Sequence, residues 1–283
     1  MMRIVFGTDG STHAKDVAEF LGLLPLPAGA EIQVVCVVDA FVEDVVGSGL
    51  IEQAGRLVEQ TAAQIRRPDL RVTTAVRMGN ADHQLITAAE ELQADLLVVG
   101  SRGLTGFEEL VLGSVARSVA QHAHCSVLLA RKPKHELRSV LLAHDGSEHS
   151  QRAVEMAATL PLPLETVISL LHVVRPHFPV IDLAGVGDYH LSEAVAEAEE
   201  EQRQAGQRLL QEAAARLGKA GRQTTIGVQG GNPPKAILTT AAAQEADLII
   251  VGACGASLIH RLLVGSVTDR LLNKAPCSLL VVR

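Results

Sequence analysis

The sequence predicts an α/β protein built as two tandem, doubly wound domains, each with a five-stranded parallel sheet. Three observations carry that reading. Short apolar runs alternate with helical patterns along the chain, as β-α-β units with right-handed crossovers require. The opening run recurs: Ile4-Val5-Phe6-Gly7-Thr8-Asp9-Gly10-Ser11 returns 136 positions later as Val140-Leu141-Leu142-Ala143-His144-Asp145-Gly146-Ser147. A glycine pattern also occurs twice, 152 positions apart, as Gly100-x2-Gly103-x9-Gly113-Ser114 and Gly252-x2-Gly255-x9-Gly265-Ser266.

Taken in order, the first copy reads as strand 3–8, helix 12–24, strand 31–38, helix 50–66 and strand 71–76. It continues as helix 81–93, strand 95–99, helix 114–122 and strand 126–130. Asn80-Ala81-Asp82 and Asn232-Pro233-Pro234 read as helix starts, with Asn as the cap and Pro in the first turn. Val35-Cys36-Val37-Val38 matches Leu171-His172-Val173-Val174 at the offset of 136, whereas Gly79-Asn80 matches Gly231-Asn232 at 152. The sixteen-residue difference between those offsets places an insertion after the second strand of copy two. Segment 176–191, with the chain's single tyrosine, Tyr189, is read as either a lid or an irregular loop. Beyond it, residues 192–217 form an acidic-headed helix whose Val195, Leu209, Leu210, Ala213 and Leu217 face the sheet. Arg131-Lys132-Pro133-Lys134 is charged and carries a helix breaker, so the copies divide as domains 1–134 and 135–283.

Composition narrows the function classes. A chain of 283 residues supports two ordinary cores. Hydrophobic content of 47% with 2% aromatics implies cores of Val, Leu, Ile and Ala, which suits buried parallel strands. The net charge of −7 divides as −4 over 1–134 and −3 over 135–283, so no basic face is implied and bulk nucleic-acid binding is not expected. No apolar run approaches the roughly 18 residues a membrane span needs, and Met1-Met2-Arg3-Ile4-Val5-Phe6 lacks a signal-peptide layout. Cys36, Cys125, Cys254 and Cys277 show no metal spacing, nor do the eleven histidines. A reducing, cytoplasmic setting is expected.

The repeated glycines suit phosphate binding. After a strand they let backbone N–H groups approach a ligand that a side chain would block. A Gly-Ser pair opening a helix adds free amides and the positive end of the helix dipole. Simple strand-to-helix punctuation is the alternative, but a matched pair in a duplicated chain favours the ligand.

These motifs resemble the ATP-binding signature of the universal stress protein family. The copy endings, His122-Ala123-His124-Cys125-Ser126-Val127-Leu128-Leu129 and Lys274-Ala275-Pro276-Cys277-Ser278-Leu279-Leu280-Val281, support the resemblance, which covers essentially the whole chain. It implies an adenine-nucleotide alpha hydrolase-like fold with strand order 3-2-1-4-5. Ligands in such sheets sit beyond the carboxyl ends of the strands, where the order reverses. The resemblance further implies that Thr8, Asp9 and Asp145 contact the nucleoside and that the backbone of Val37 and Val173 holds adenine. Gly100, Arg102, Gly103, Gly113, Ser114 and Val115 would hold ribose and phosphates in copy one; Gly252, Gly255, Gly265, Ser266 and Val267 would do so in copy two. Asp9 and Asp145 could instead cap helices through Asp-Gly-Ser. The implied ligand is ATP, with or without Mg.

An ATP-binding stress-response or regulatory module is therefore expected, with at most slow hydrolysis. A slow ATP hydrolase of the same architecture and a nucleotide-free dimerisation module are the alternatives. No Gly-x4-Gly-Lys-Ser/Thr loop is present. Copy one, which keeps Ser101-Arg102 and a small turn at Thr105-Gly106 where copy two has Ala253-Cys254 and then Ala256-Ser257, is expected to bind the more tightly. Cys254 reads as an exposed thiol whose pKa a helix N-terminus lowers. Finally, Val127-Leu128-Leu129-Ala130 and Leu279-Leu280-Val281-Val282 are apolar on both faces at what should be sheet edges. Such edges need covering or pairing, so the copies are expected to pair antiparallel through them, as an internal pseudo-dimer, with a homodimer as a further option.

Overall fold

A computed structural model describes residues 1–39, 49–101, 112–131, 135–175, 188–255 and 264–283. In the first half, β1 (Arg3–Gly7), β2 (Glu31–Val38), β3 (Arg71–Met78), β4 (Leu96–Gly100) and β5 (Ser126–Ala130) alternate with α1 (Thr12–Leu23), α2 (Gly49–Ile65), α3 (Ala81–Leu92) and α4 (Ser114–His122). The second half repeats this with β6 (Ser139–Ala143), β7 (Val167–Val174), β8 (Gln223–Gly230), β9 (Leu248–Gly252) and β10 (Ser278–Val282). Its helices are α5 (Glu148–Thr159), α6 (Asp188–Lys219), α7 (Pro233–Ala243) and α8 (Ser266–Lys274). The expected domain boundary falls at 134/135; residues 132–134 lie outside the described residues.

The strands form one ten-stranded sheet in the order β3-β2-β1-β4-β5-β10-β9-β6-β7-β8. Each half keeps the order 3-2-1-4-5 that the resemblance implies. What differs from two separate five-stranded sheets is the join. β5 and β10 pair antiparallel, with Leu279↔Leu129, Leu280↔Leu128 and Val281↔Val127 in register, while the other neighbours pair parallel. The physical reason is the one the sequence supplies: both fifth strands are buried at all five positions, and pairing them leaves no apolar edge in water.

Strand alternation sorts the core onto two faces. Ile4, Phe6, Leu96, Val98 and Leu128 join one cluster, under α1, α2, α5 and α6. Val5, Leu97, Val99, Val127 and Leu129 join the other, under α3, α4, α7 and α8. Each cluster includes residues of both halves, so the hydrophobic layers cross the join as the sheet does. Of the residues expected to seat the long helix α6, Leu210, Ala213 and Leu217 are buried. Segment 176–187 lies outside the described residues, while 188–191 open α6.

Polar contacts also tie the halves together. Arg117 of α4 bonds to Asn273 and lies 3.6 Å from Asp269, both of α8. Arg283, which follows β10, donates to the carbonyls of Ala120 (2.9 Å) and Gln121 (2.8 Å) in the last turn of α4. Those carbonyls have no partner within their own helix, and a guanidinium there also meets the negative end of the dipole. Arg283→Ala should therefore lower stability by roughly 1.5–3 kcal/mol, the worth of charged hydrogen bonds. Thermal melting checks this, and an unchanged transition would contradict the bridging role.

Candidate functional site

Parallel strand order fixes where a cleft can open. β1 pairs on one side with β2 and on the other with β4, so the helices that follow β1 and β4 leave the sheet on opposite faces. The same split occurs between β6 and β9. At each split the structure has a cleft, of about 190 Å³ in the first half and about 320 Å³ in the second.

Sequence-predicted residues gather at these clefts. Thr8, Asp9, Val37, Gly100, Gly113, Ser114 and Val115 line the first. Asp145, Val173, Gly252, Gly255, Gly265, Ser266 and Val267 line the second. Arg102 and Gly103 lie outside the described residues, and with them the contrast on which tighter binding by copy one was expected.

Backbone geometry explains the place of Val37 and Val173. Thr8 N donates to Val35 O at 2.9 Å, so the odd-numbered residues of this part of β2 direct their peptide groups towards β1. Gly79 N donates to Val38 O, which directs the even-numbered ones towards β3. Val37 therefore presents its N–H and C=O beyond the end of β1, at the cleft. His144 N to Leu171 O (2.9 Å) and Gly231 N to Val174 O give Val173 the same position.

The floor of each cleft is a helix start. Four helices are capped by a side chain: Ser11 accepts from Ala14 N, Asn80 from Asp82 N, Ser147 from Ser150 N and Asn232 from Lys235 N. α4 and α8 begin instead at Gly113 and Gly265, with no side-chain cap bond. The first intrahelical bonds come from Arg117 N and Asp269 N, so the amides of Ser114–Ala116 and Ser266–Thr268 have no partner inside their helices. Gly113 (φ −62°, ψ 149°) and Gly265 (φ −66°, ψ 156°) have dihedrals that any residue adopts. What glycine contributes at both is the missing side chain.

The two aspartates do not cap; the serines after them do. Asp9 Oδ1 accepts from Ser11 N at 3.0 Å and Asp145 Oδ1 from Ser147 N at 3.1 Å, which turns each carboxylate to its cleft. In the second half the convergence is close. A Cβ on Gly255 would lie 2.6 Å from Asp145 Oδ2, so a larger residue there would push the carboxylate aside. Gly252 is glycine for a different reason, since a Cβ there would meet the backbone of His149 at 2.7 Å.

Cys254 corrects an expectation. It is buried, at 3% exposure, and desolvation raises its pKa despite the opposing effects of Arg283 and the Gly265 amide. The helix N-terminus does not win because the thiol faces the packed interior. Burial likewise pushes Cys125 to about 11 and Cys277 to about 12, and raises Cys36.

Sequence reasoning missed two cleft residues, His144 and His172, which stand where copy one has Thr8 and Cys36. His144 is buried with Nδ1 2.7 Å from Ser150 Oγ, and His172 Nδ1 donates to the His144 carbonyl at 2.8 Å. Subtracting the copies at the offset of 136 would have exposed both.

The family model for the universal stress protein family matches residues 1–131 and again 136–283. The chain belongs to the universal stress protein family. It is a tandem member, as the two matches require. A universal stress protein of Methanocaldococcus jannaschii is 31% identical over 143 residues, covering 47% of this chain and 84% of that one. A universal stress protein of Synechocystis is 24% identical over 311 residues and spans 100% of both chains. Among solved structures, a universal stress protein of Archaeoglobus fulgidus covers 99% of this chain and 98% of its own, with a TM-score of 0.67 at 20% identity, which shows the shared fold. Among the described residues no helix is long and apolar enough to cross a membrane.

Burial of His144 predicts a pH dependence. Desolvation holds its pKa below the ordinary imidazole value, against Asp145, which raises it, and with His172, which lowers it further. The unfolded chain then takes up the proton more readily than the folded one. Stability is full above about 6.5 and is lost as pH falls through that value towards the depressed one. Melting temperatures of the wild type should fall between about pH 7 and pH 5, and those of His144→Gln should fall less. Parallel profiles would contradict the assignment.

Proposed function

We propose that this universal stress protein binds an adenine nucleotide in each cleft, as an ATP-responsive module in the stress response. The observation that carries the reading is the pair of helix starts, α4 and α8, left without a side-chain cap at the floors of the clefts. Three amides at each converge with the positive helix end on one point, an arrangement suited to phosphate oxygens. The backbone edge of Val37 or Val173 offers a donor and an acceptor side by side, which suits the adenine ring. Asp9 and Asp145 line the same clefts and suit ribose hydroxyls or the Mg that accompanies a triphosphate. A cavity of about 320 Å³ falls within the range of ordinary small-molecule sites.

Family membership supports the stress-response role. The cytoplasm is the setting in which such a ligand is abundant, and hydrolysis, if it occurs, is slow on this reading. The two halves together act as one internal dimer.

The test is calorimetric titration of ATP into the full chain, alongside assay of nucleotide retained on purification and of its turnover. Two sites are expected in the wild type and none in Gly113→Val/Gly265→Val. Valine is compatible with the dihedrals at both positions, so circular dichroism should be unchanged. Undiminished binding by the double variant would sink the site assignment. Rapid turnover would favour a hydrolase, and no binding by the wild type a nucleotide-free module.

A further inference from the structure

We propose that the two clefts have divided the ligand between them, with the second half holding the triphosphate and the first half favouring a nucleotide with a short phosphate tail. The proposal rests on the nucleotide reading above and goes beyond it. It is carried by side chains outside the glycine signature.

In the second half a groove of about 330 Å³ continues from the cleft, sharing Arg175, Pro233, Ser266 and Val267 with it. Arg175 follows the last residue of β7, and Arg270 lies one turn into α8, on the same helix face as Ser266. Both arginines are exposed. Neither has an ion-pair or hydrogen-bond partner among the described residues. Two guanidiniums thus flank the uncapped amides of α8, along the line a phosphate chain would follow out of the cleft.

The first half has neither arginine at the equivalent positions and carries carboxylates there or beside them. The offset of 136 puts Asp39 where Arg175 stands, directly after β2. The offset of 152 puts Ser118 at Arg270 and Asp82 at Pro234. The Ser118 hydroxyl donates to the Asp82 carboxylate, which fixes that carboxylate one turn into α4. The same bond, ahead of every other influence, holds Asp82 below the usual carboxylate range, so it stays charged. By the repeat, Asp39 after β2 and Asp82 against α4 occupy the first half's counterpart of the groove that Arg175 and Arg270 line in the second.

The contrast is electrostatic, so it should grow with ligand charge and shrink with salt. Each exposed arginine is worth up to about five-fold in affinity for a triphosphate, and the pair roughly ten-fold. The test uses the full chain with one cleft closed at a time, titrated with ATP and with AMP. Gly113→Val, which leaves the second cleft, should prefer ATP over AMP by roughly ten-fold or more. Gly265→Val, which leaves the first, should bind AMP at least as well as ATP. Adding Arg175→Ala/Arg270→Ala to Gly113→Val should erase the preference for ATP while changing AMP affinity by less than about two-fold. Arg175→Glu/Arg270→Glu should invert it, and as changes at exposed positions these variants should melt like their parent.

An ATP preference that survives both arginine pairs, or a stronger one in Gly265→Val than in Gly113→Val, overturns the division of ligands and leaves nucleotide binding standing. A wild type that binds neither ATP nor AMP overturns both.

Discussion

The antiparallel ladder between β5 and β10 is the contact on which the rest of the molecule depends. Each fifth strand is apolar on both faces, and alone it would present unpaired peptide groups along a hydrophobic edge. Pairing Leu129 with Leu279 and Val127 with Val281 removes both edges at once and makes the hydrophobic layers continuous from one half to the other. It also brings α4 beside α8, where Arg117 reaches Asp269 and Asn273, and places Arg283 against the end of α4. Because the join is at β5 and β10, the splits between β1 and β4 and between β6 and β9 stay open to ligand.

Those splits matter because of what the chain leaves undone there. Ser11, Asn80, Ser147 and Asn232 each close a helix with a side-chain oxygen. Gly113 and Gly265 do not, and the dihedrals of both would tolerate another residue. Glycine in place of a capping side chain costs only a few tenths of a kcal/mol, so two equivalent helix starts keep their first-turn amides open for an anion at little cost in stability. The neighbouring glycines show different constraints. Gly252 is needed by helix packing on the His149 backbone, whereas Gly255 leaves room for the carboxylate of Asp145.

Much of this was legible in the chain because duplication doubles every signal. The strand and helix positions followed from periodicity, with errors of a few residues at ends such as β3, which runs to Met78, and α6, which begins at Asp188. The fifth-strand pairing followed from an apolar run with nowhere else to go. Three features were hidden for physical reasons. Cys254 sits in a phosphate-loop pattern, but its burial depends on tertiary packing that no local pattern encodes. The aspartates were read as possible caps because Asp-Gly-Ser does not say which side chain bonds the helix, and the fold gives that bond to serine. Arg175 and Arg270 come from separate elements at two different repeat offsets, so their meeting at one groove appears only in three dimensions.

The central claim is that the first-turn amides of α4 and α8 receive the ligand. Hydrogen–deuterium exchange on the full chain, with and without ATP, addresses it most directly. Protection is predicted at Ser114–Ala116 and Ser266–Thr268, together with the backbone of Val37 and Val173. ATP binding that leaves exchange at both helix starts unchanged, or protects a surface away from the clefts, would contradict the account.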